Sequence, residues 1–330
     1  MSDSQNVPTH ASSLANDGGD EPEPNKYGLN LLLFALTVFS VFWTGAADRD
    51  PTLSDSLDPR RWLEIWQGWP FALPLLAILI AHESGHYIAA RIHRVPASLP
   101  YFIPLPKLSP FGTMGAIIGM SGRIRSRVAL LDIGAAGPLA GMLVALPVLA
   151  FGLSKSPIFP NPEHYTQEGQ CLLYMLLKRV FAGPIPDGAD VRLHPTATAG
   201  WVGLLVTMIN MLPWGQLDGG HIAYALFGER QHRVARWVRR ALLGLFAYNV
   251  LKFCLPVLLH QSSLGYPFAV SNSLFWLVWF AFTGLIGKIS GGADHPPFEP
   301  GELGPGRRAV AWLCLILFVL LFMPTPYAVY

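Results

Sequence analysis

Charged residues are scarce in this sequence of 330 residues. Lys and Arg number 23, Asp and Glu number 21, and together they make up 13% of the chain, against about 25% in soluble proteins. So little charge cannot cover a water-exposed surface, which argues against a soluble globular enzyme, a disordered chain and a nucleic-acid-binding protein. Cysteine is scarce as well. The three cysteines form no CxxC pair, which argues against a disulfide framework and a cysteine-built metal site.

Long hydrophobic runs are abundant instead, and hydrophobic residues make up 52% of the chain. A membrane-crossing helix needs about 20 mostly apolar residues. The runs therefore predict an all-α polytopic membrane protein with about seven transmembrane helices. The predicted spans are residues 28–46, 68–90, 128–152, 199–227, 241–260, 269–287 and 309–327.

The polar N-terminal segment differs from the rest of the chain. Residues 1–26 contain five acidic residues and one lysine, and they lack the charged region and short apolar run of a cleavable signal peptide. We expect them to form a disordered tail. Residues 27–330 are expected to form one integral membrane domain, with a core at about 68–228 and additional spans at 241–327.

The basic residues predict the orientation of the chain in the membrane. If the N-terminus is cytosolic, the segments on its side hold 15 Lys and Arg, and the segments on the opposite side hold seven. Basic residues are enriched on the cytosolic side, so this bias predicts a cytosolic N-terminus and a C-terminus outside. The basic loops are residues 91–127, 228–240 and 288–308.

Two further features outside the motifs remain open. The long polar loop 153–198 contains a stretch, Cys171–Val180, that could form an amphipathic helix on the surface. Lys252 lies within a predicted span. It could pair with Asp132, extend its amine to the membrane surface, or line a water-filled cavity.

The second span ends in a His-Glu-x-x-His motif formed by His82, Glu83 and His86. Residues four apart lie on the same face of a helix, so His82 and His86 can bind one zinc ion. Glu83 can then reach a metal-bound water and act as general base. The alternative is a polar cluster satisfied by neighbouring helices, but such groups are costly in an apolar helix.

A catalytic zinc site takes three protein ligands, and Asp218 is the best candidate for the third. It follows a stretch in which Pro213 and Gly215 are expected to break the fourth span. Irregular backbone at membrane depth is tolerated where it lines a cavity enclosed by protein. The alternative role for Asp218 is to cap a helix at the kink.

These two stretches together resemble the site-2 protease family of intramembrane zinc metalloproteases. The family combines HExxH in one transmembrane helix with NxxPxxxLDG in a later one, and here Asn210 and Asp218 lie at the matching positions. The small-residue stretch Gly134–Gly141 is similar to the GPxAG segment of the family. Phe111–Gly115 is similar to a segment that folds as a short membrane-associated β structure beside the active site.

The resemblance implies a site and a reaction. His82, His86 and Asp218 would bind one Zn²⁺, Glu83 would be the base, and Asn210 would contact the substrate backbone or stabilise the oxyanion. The reaction would be hydrolysis of peptide bonds in or near transmembrane segments of membrane-anchored proteins, with no nucleic acid involved. The multi-pass protein is expected in a bacterial plasma membrane, with its active site nearer the cytosolic face.

Two other functions use some of the same residues. A metal transporter also places histidine and carboxylate in its spans, but such proteins usually carry several ligand motifs, whereas this sequence offers one ligand set. A non-catalytic membrane scaffold is the other alternative, and the intact Glu83 argues against it.

Overall fold

Helices make up most of the chain in this computed structural model, which describes residues 27–330 except residues 56–58, 121–123, 125, 163–164, 263 and 290–300. The tail predicted at residues 1–26 lies outside the described residues. The helices are α1 Tyr27–Arg49, α2 Thr52–Asp55, α3 Trp69–Ile92, α4 Arg127–Ser154, α5 Leu172–Phe181, α6 Pro195–Asn210, α7 Asp218–Phe227, α8 Arg230–Asn249, α9 Leu255–Leu258, α10 Tyr266–Ser273, α11 Phe275–Ile289 and α12 Pro305–Leu321. A 3₁₀ segment, Pro59–Gly68, precedes α3, and a π-helical segment, Val250–Cys254, links α8 to α9.

Short strands form three two-stranded antiparallel sheets within the described residues. The sheets are β1 Tyr101–Pro104 with β2 Thr113–Ile117, β3 Ile158–Pro160 with β5 Ala189–Val191, and β4 Thr166–Glu168 with β6 Tyr327–Val329. Only the first of these sheets falls in the segment for which β structure is predicted.

Four described helical segments are long and apolar enough to cross a membrane, which confirms a membrane protein but not the predicted count of seven. A fifth crossing results if α10 and α11, which meet at a 41° bend, are taken as one span. The fourth predicted span is divided because α6 ends at Asn210, and α12 has only 17 residues. The four segments are Tyr27–Arg49, Leu63–Ile92, Arg127–Ser154 and Arg230–Leu258.

The basic segment 228–240 is not a loop, as the sequence suggests, but mostly the first turns of α8, which begins at Arg230. Arginine is a good helix former, and its long side chain can leave an apolar helix and reach the membrane surface. The helix can therefore extend through the basic cluster. The prediction was wrong because charge density marks the edge of the apolar layer rather than the end of the helix.

The core lies where α3, α4 and α6 pack against one another. Its buried side chains include Leu75 of α3, Leu149 of α4 and Trp201 of α6. The indole of Trp201 donates a hydrogen bond of 2.9 Å to the carbonyl of Gly169, in the loop after β4. The loop is thereby fixed to the helices that carry the candidate site.

The hairpin of β1 and β2 confirms the predicted β segment. Phe102 pairs with Ala116, and the register shifts between Phe102 and Pro104. Helix α1 holds this hairpin in place because Ser40 donates a hydrogen bond of 2.5 Å to the carbonyl of Gly112. The phenyl rings of Phe34 and Phe102 also meet edge to face, with their centroids 5.1 Å apart.

The described residues of the polar loop 153–198 form a cap between the end of α4 and the start of α6. Its helix α5 lies where the sequence suggests an amphipathic helix, and Leu172, Met175 and Leu176 are exposed. Lys178, on the inner face, is buried between the carboxylates of Glu168 and Asp190, at 3.0 and 2.6 Å.

The C-terminal strand β6 joins this cap by pairing with β4, so that Thr166 lies opposite Val329. The C-terminus and loop 153–198 therefore lie on the same side of the molecule.

Lys252 and Asp132, whose pairing the sequence leaves open, have other partners. The amine of Lys252 lies 3.5 Å from the hydroxyl of Thr325. Asp132 accepts hydrogen bonds from His93 and Arg307. The suggested pair is therefore wrong.

Candidate metal centre

Three side chains that the sequence predicts as metal ligands meet at one point of the structure. The Nε2 atoms of His82 and His86 lie 3.2 Å apart. Oδ2 of Asp218 lies 3.3 Å from Nε2 of His82, and Oδ1 lies 3.3 Å from Nε2 of His86. His82 is only 3% exposed. These residues form a group that could hold a metal ion, although Asp218 is 132 or more residues away in the sequence.

The helices deliver the three ligands from two directions. His82 and His86 lie one turn apart on the same face of α3. Asp218 is the first residue of α7, where the free N–H groups of a helix favour a negative charge. The predicted break precedes it, since the residues between Asn210 and Asp218 are non-helical and Gly215 has a φ of 51°.

Close packing across the break fixes the position of Asp218. A Cβ at Gly219 would collide with the backbone carbonyl of Met211, and a Cβ at Gly220 with that of Gly215. The two glycines after Asp218 therefore let the first turn of α7 lie directly against the broken segment.

A backbone carbonyl orients His86. Its Nδ1 lies 2.8 Å from the carbonyl oxygen of Ile133 on α4, and because a carbonyl can only accept, Nδ1 carries the proton. The lone pair of Nε2 then points towards His82 and Asp218, an arrangement that is usual for histidine ligands. The role of Ile133 could not be predicted from the sequence, because any residue can supply a carbonyl.

The small-residue stretch of α4 makes room for the ligands. A Cβ at Gly137 would overlap the imidazole of His86, and a Cβ at Gly141 would lie 3.2 Å from the ring of His82. On the next face, a Cβ at Gly134 would lie 3.0 Å from that of His221. Gly137 and Gly141, which are predicted to allow tight packing, therefore do so against the metal-ligand candidates themselves.

Glu83 and Asn210 lie beside the ligand set. Glu83 follows His82 on α3 and is 6% exposed. The side-chain nitrogen of Asn210, at the end of α6, lies 3.2 Å from Nε2 of His82. The structure thus brings together all five residues that the sequence singles out, while His221, buried on α7, is not among the three in the metal-ligand group.

The donor set fits zinc. Two imidazoles and a carboxylate are zinc ligands, and atoms about 2.0–2.1 Å from a tetrahedral zinc lie about 3.3–3.4 Å from one another. In the structure the two Nε2 atoms are 3.2 Å apart, and each lies 3.3 Å from one carboxylate oxygen of Asp218, Oδ2 for His82 and Oδ1 for His86. Moreover, Oδ2 of Asp218 is buried without a hydrogen-bond partner, a condition that a cation would relieve.

Comparison with known proteins identifies the family. A sequence model described as peptidase family M50 matches residues 70–247, just over half of the chain. The chain belongs to peptidase family M50. This confirms the resemblance to site-2 proteases, and the match covers both halves of the candidate centre, from α3 through α7.

The most informative relatives in this family are plant proteins. The chain is 31% identical over 339 residues to the probable zinc metalloprotease EGY1, chloroplastic, of Arabidopsis thaliana, covering 92% of this chain and 55% of the relative. It is 29% identical over 334 residues to the protein of that name in Oryza sativa subsp. japonica, covering 92% and 52%. The chain thus spans about half the length of these curated relatives.

Proposed function

We propose that the protein is an intramembrane zinc metalloprotease. The observation that carries this proposal is the trio of His82, His86 and Asp218, whose donor atoms lie close enough together to hold one metal ion. The related proteins are named zinc metalloproteases, and M50 is a peptidase family. We infer that the protease core occupies about residues 68–228 and that residues 241–327 add further spans.

The catalytic roles follow from where each side chain lies. When bound, zinc would lower the pKa of a water molecule and polarise the substrate carbonyl. Glu83, buried next to His82, accepts the proton of the attacking water and passes it to the leaving amine. The amide of Asn210 stabilises the negative charge that develops on the carbonyl oxygen, and Ile133 keeps His86 in the required tautomer.

The substrate is a membrane-anchored protein whose helix must unwind locally, since the carbonyls of a helix are already hydrogen-bonded. We infer that β2 captures the unwound segment by adding it as a further strand. β1 pairs with one edge of β2, while α1 packs against β1. Met114 and Ile117 of β2 are exposed and can contact the captured side chains.

The orientation and the host membrane are also proposals. The excess of basic residues supports a cytosolic N-terminus and an active site nearer the cytosolic face. The pairing of β4 with β6 supports an odd number of crossings, because it puts loop 153–198 and the C-terminus on one side. We propose a bacterial plasma membrane, and the chloroplastic relatives make the chloroplast the alternative to test.

Transport and scaffolding are less well supported. A transporter needs a path of successive sites, whereas the described residues contain one group of candidate ligands. A scaffold has no need for the buried carboxylate of Glu83 beside the ligands, and such a group is costly in an apolar helix.

The first test measures zinc in the purified protein in detergent. We expect about one zinc per chain, and its loss or strong weakening in Asp218→Ala. Asp187→Ala, an exposed carboxylate in the cap, is the matched control and should keep its zinc. Unchanged zinc in Asp218→Ala would remove Asp218 from the ligand set and contradict the proposed centre.

The second test separates metal binding from catalysis. Glu83→Gln should keep its zinc and lose cleavage of a fluorogenic peptide that carries a transmembrane segment with a helix-breaking Gly-Pro pair. Full cleavage by Glu83→Gln would disprove the role of Glu83 as the base. Failure of both the variant and the wild type to cleave, with zinc bound, would favour the scaffold.

A further inference from the structure

One charged cluster lies near the metal centre but touches none of its ligands. Asp132, near the start of α4, accepts a hydrogen bond of 2.8 Å from Nε2 of His93, the residue that caps the C-terminal end of α3. Its two oxygens also accept from Nε and Nη2 of Arg307 in α12, at 2.9–3.1 Å. The cluster therefore joins three helices through one carboxylate.

The residue after Asp132 is the one that orients His86. The Ile133 carbonyl accepts the Nδ1 proton of His86 at 2.8 Å. A shift of the α4 backbone at Asp132 would therefore move the carbonyl that holds the ligand. His93 is the C-terminal cap of α3, the helix that carries His86. The cluster therefore links the two helices whose residues form that hydrogen bond, α3 with His86 and α4 with Ile133.

We propose that Arg307 and Asp132 are positioning residues for the metal centre, aligning the Ile133 carbonyl with His86 through their two-pronged ion pair. Arg307 lies outside residues 70–247, which match the family model. Helix α12 therefore has a role in the metal centre, because its Arg307 contacts Asp132. This inference rests on the proposed zinc site.

The geometry of the pair is better suited to positioning than to stability. The side chain of Arg307 is 46% exposed and that of Asp132 27% exposed, and exposed ion pairs generally contribute little to folding. A guanidinium that contacts both oxygens of one carboxylate, however, fixes distance and angle together. Lysine cannot do this because its ammonium is a point charge.

The test compares Arg307→Gln with Arg308→Gln. Arg308 is the next residue of α12 and forms its own exposed pair, 3.0 Å from Glu302, so its loss removes equal charge without touching Asp132. Zinc affinity is measured by competition with a chelator in detergent. The ligand geometry is measured from the absorption spectrum of the cobalt-substituted protein, which a merely structural role would leave unchanged.

We expect Arg307→Gln to weaken zinc binding by about 10–100-fold, as loss of a residue that orients a ligand does, and to alter the cobalt spectrum. Arg307→Lys should recover only part of the affinity and provides a folded variant if Arg307→Gln is unstable. Asp132→Asn should weaken binding similarly. Combining it with Arg307→Gln should add little, because both changes break the same contact.

Two results would overturn the inference. One is an affinity and a cobalt spectrum of Arg307→Gln that match those of Arg308→Gln. The other is a loss of unfolding stability in Arg307→Gln with an unchanged spectrum, which would make the pair a structural link only. A wild-type protein that binds neither zinc nor cobalt would instead refute the proposed zinc site itself, and the positioning role with it.

Discussion

Gly137→Ala is expected to damage the metal centre although it adds a single methyl group. Gly137 of α4 faces α3, and a Cβ there would overlap the imidazole of His86. The ring has no free direction in which to turn. Its Nδ1 is 2.8 Å from the Ile133 carbonyl, and its Nε2 is 3.2 Å from that of His82. The methyl group must therefore displace the ring or separate the two helices.

Two terms of opposite sign determine the stability of this variant. Alanine in place of glycine inside a helix stabilises by about 0.5–1 kcal/mol. Forcing a methyl group into packed space costs about 1–3 kcal/mol. Gly244→Ala on α8 is the matched control, because a Cβ at Gly244 would meet no atom within 4 Å. It keeps only the favourable term, so the two variants should differ by about 1–3 kcal/mol.

The assay measures unfolding in detergent and zinc affinity for both variants. Displacing His86 should weaken zinc binding by about 10-fold or more, on the scale seen when a ligand loses its orienting partner. Gly244→Ala should bind zinc as the wild type does. Wild-type zinc affinity and control-like stability in Gly137→Ala would refute the reasoning, since the imidazole would then be shown to have room.

Further predictions concern the substrate contact and the cap. Asn210→Ala should keep its zinc but lower kcat for the peptide about 100–1000-fold, as loss of an oxyanion donor does; equal kcat would contradict this role. Lys178→Met leaves Glu168 and Asp190 without their buried cation and should destabilise the protein by about 3–5 kcal/mol in detergent unfolding. Burial raises the pKa of Asp190, but hydrogen bonds from Lys178 and Gln167 outweigh it and hold the pKa below its usual value. The wild-type contribution of this group should therefore be complete above about pH 4 and be lost as the pH falls further. The acid transition should lie at higher pH in Lys178→Met, as circular dichroism can measure.

The candidate site was predictable from the sequence because spacing along a helix determines direction. His82 and His86, four residues apart, had to lie on one face, and Pro213 and Gly215 had to interrupt the later span. The carbonyl of Ile133 was not predictable, since backbone atoms leave no mark in the sequence. Neither was the ion pair of Arg307 with Asp132, 175 residues apart.

The cap formed by loop 153–198 shows a second limit of prediction from the sequence. The amphipathic helix near Cys171–Val180 was predictable from its local pattern, but the pairing of the neighbouring strand β4 was not. β4 has three residues and pairs with β6 at the far end of the chain, and such short strands carry too few residues for an alternating pattern. The buried position of Lys178 was hidden for a related reason, because lysine is almost never buried unless it is paired.

Three contacts join the ends of helices that lie next to the predicted basic segments. Arg127, at the start of α4, donates to the carbonyls of Ala225 and Leu226 at the end of α7. Asp132 joins the start of α4 to His93 after α3 and to Arg307 at the start of α12. These ends therefore meet on one side, as alternating crossings require.

The depth of the centre follows from this common face. At 1.5 Å per residue, His86 lies about 9 Å along α3 from its end at Ile92, and Asp218 lies about 14 Å along α7 from its end at Phe227. From His82 back to the start of α3 at Trp69 is about 20 Å. Helix α3 thus places both of its ligands nearer its basic end than its opposite end, and α7, which begins at Asp218, extends from the third ligand to the basic side. Hydrolysis consumes water, so water must reach the centre. The path from the basic face is the shorter one, and water that enters there has the least apolar distance to cross.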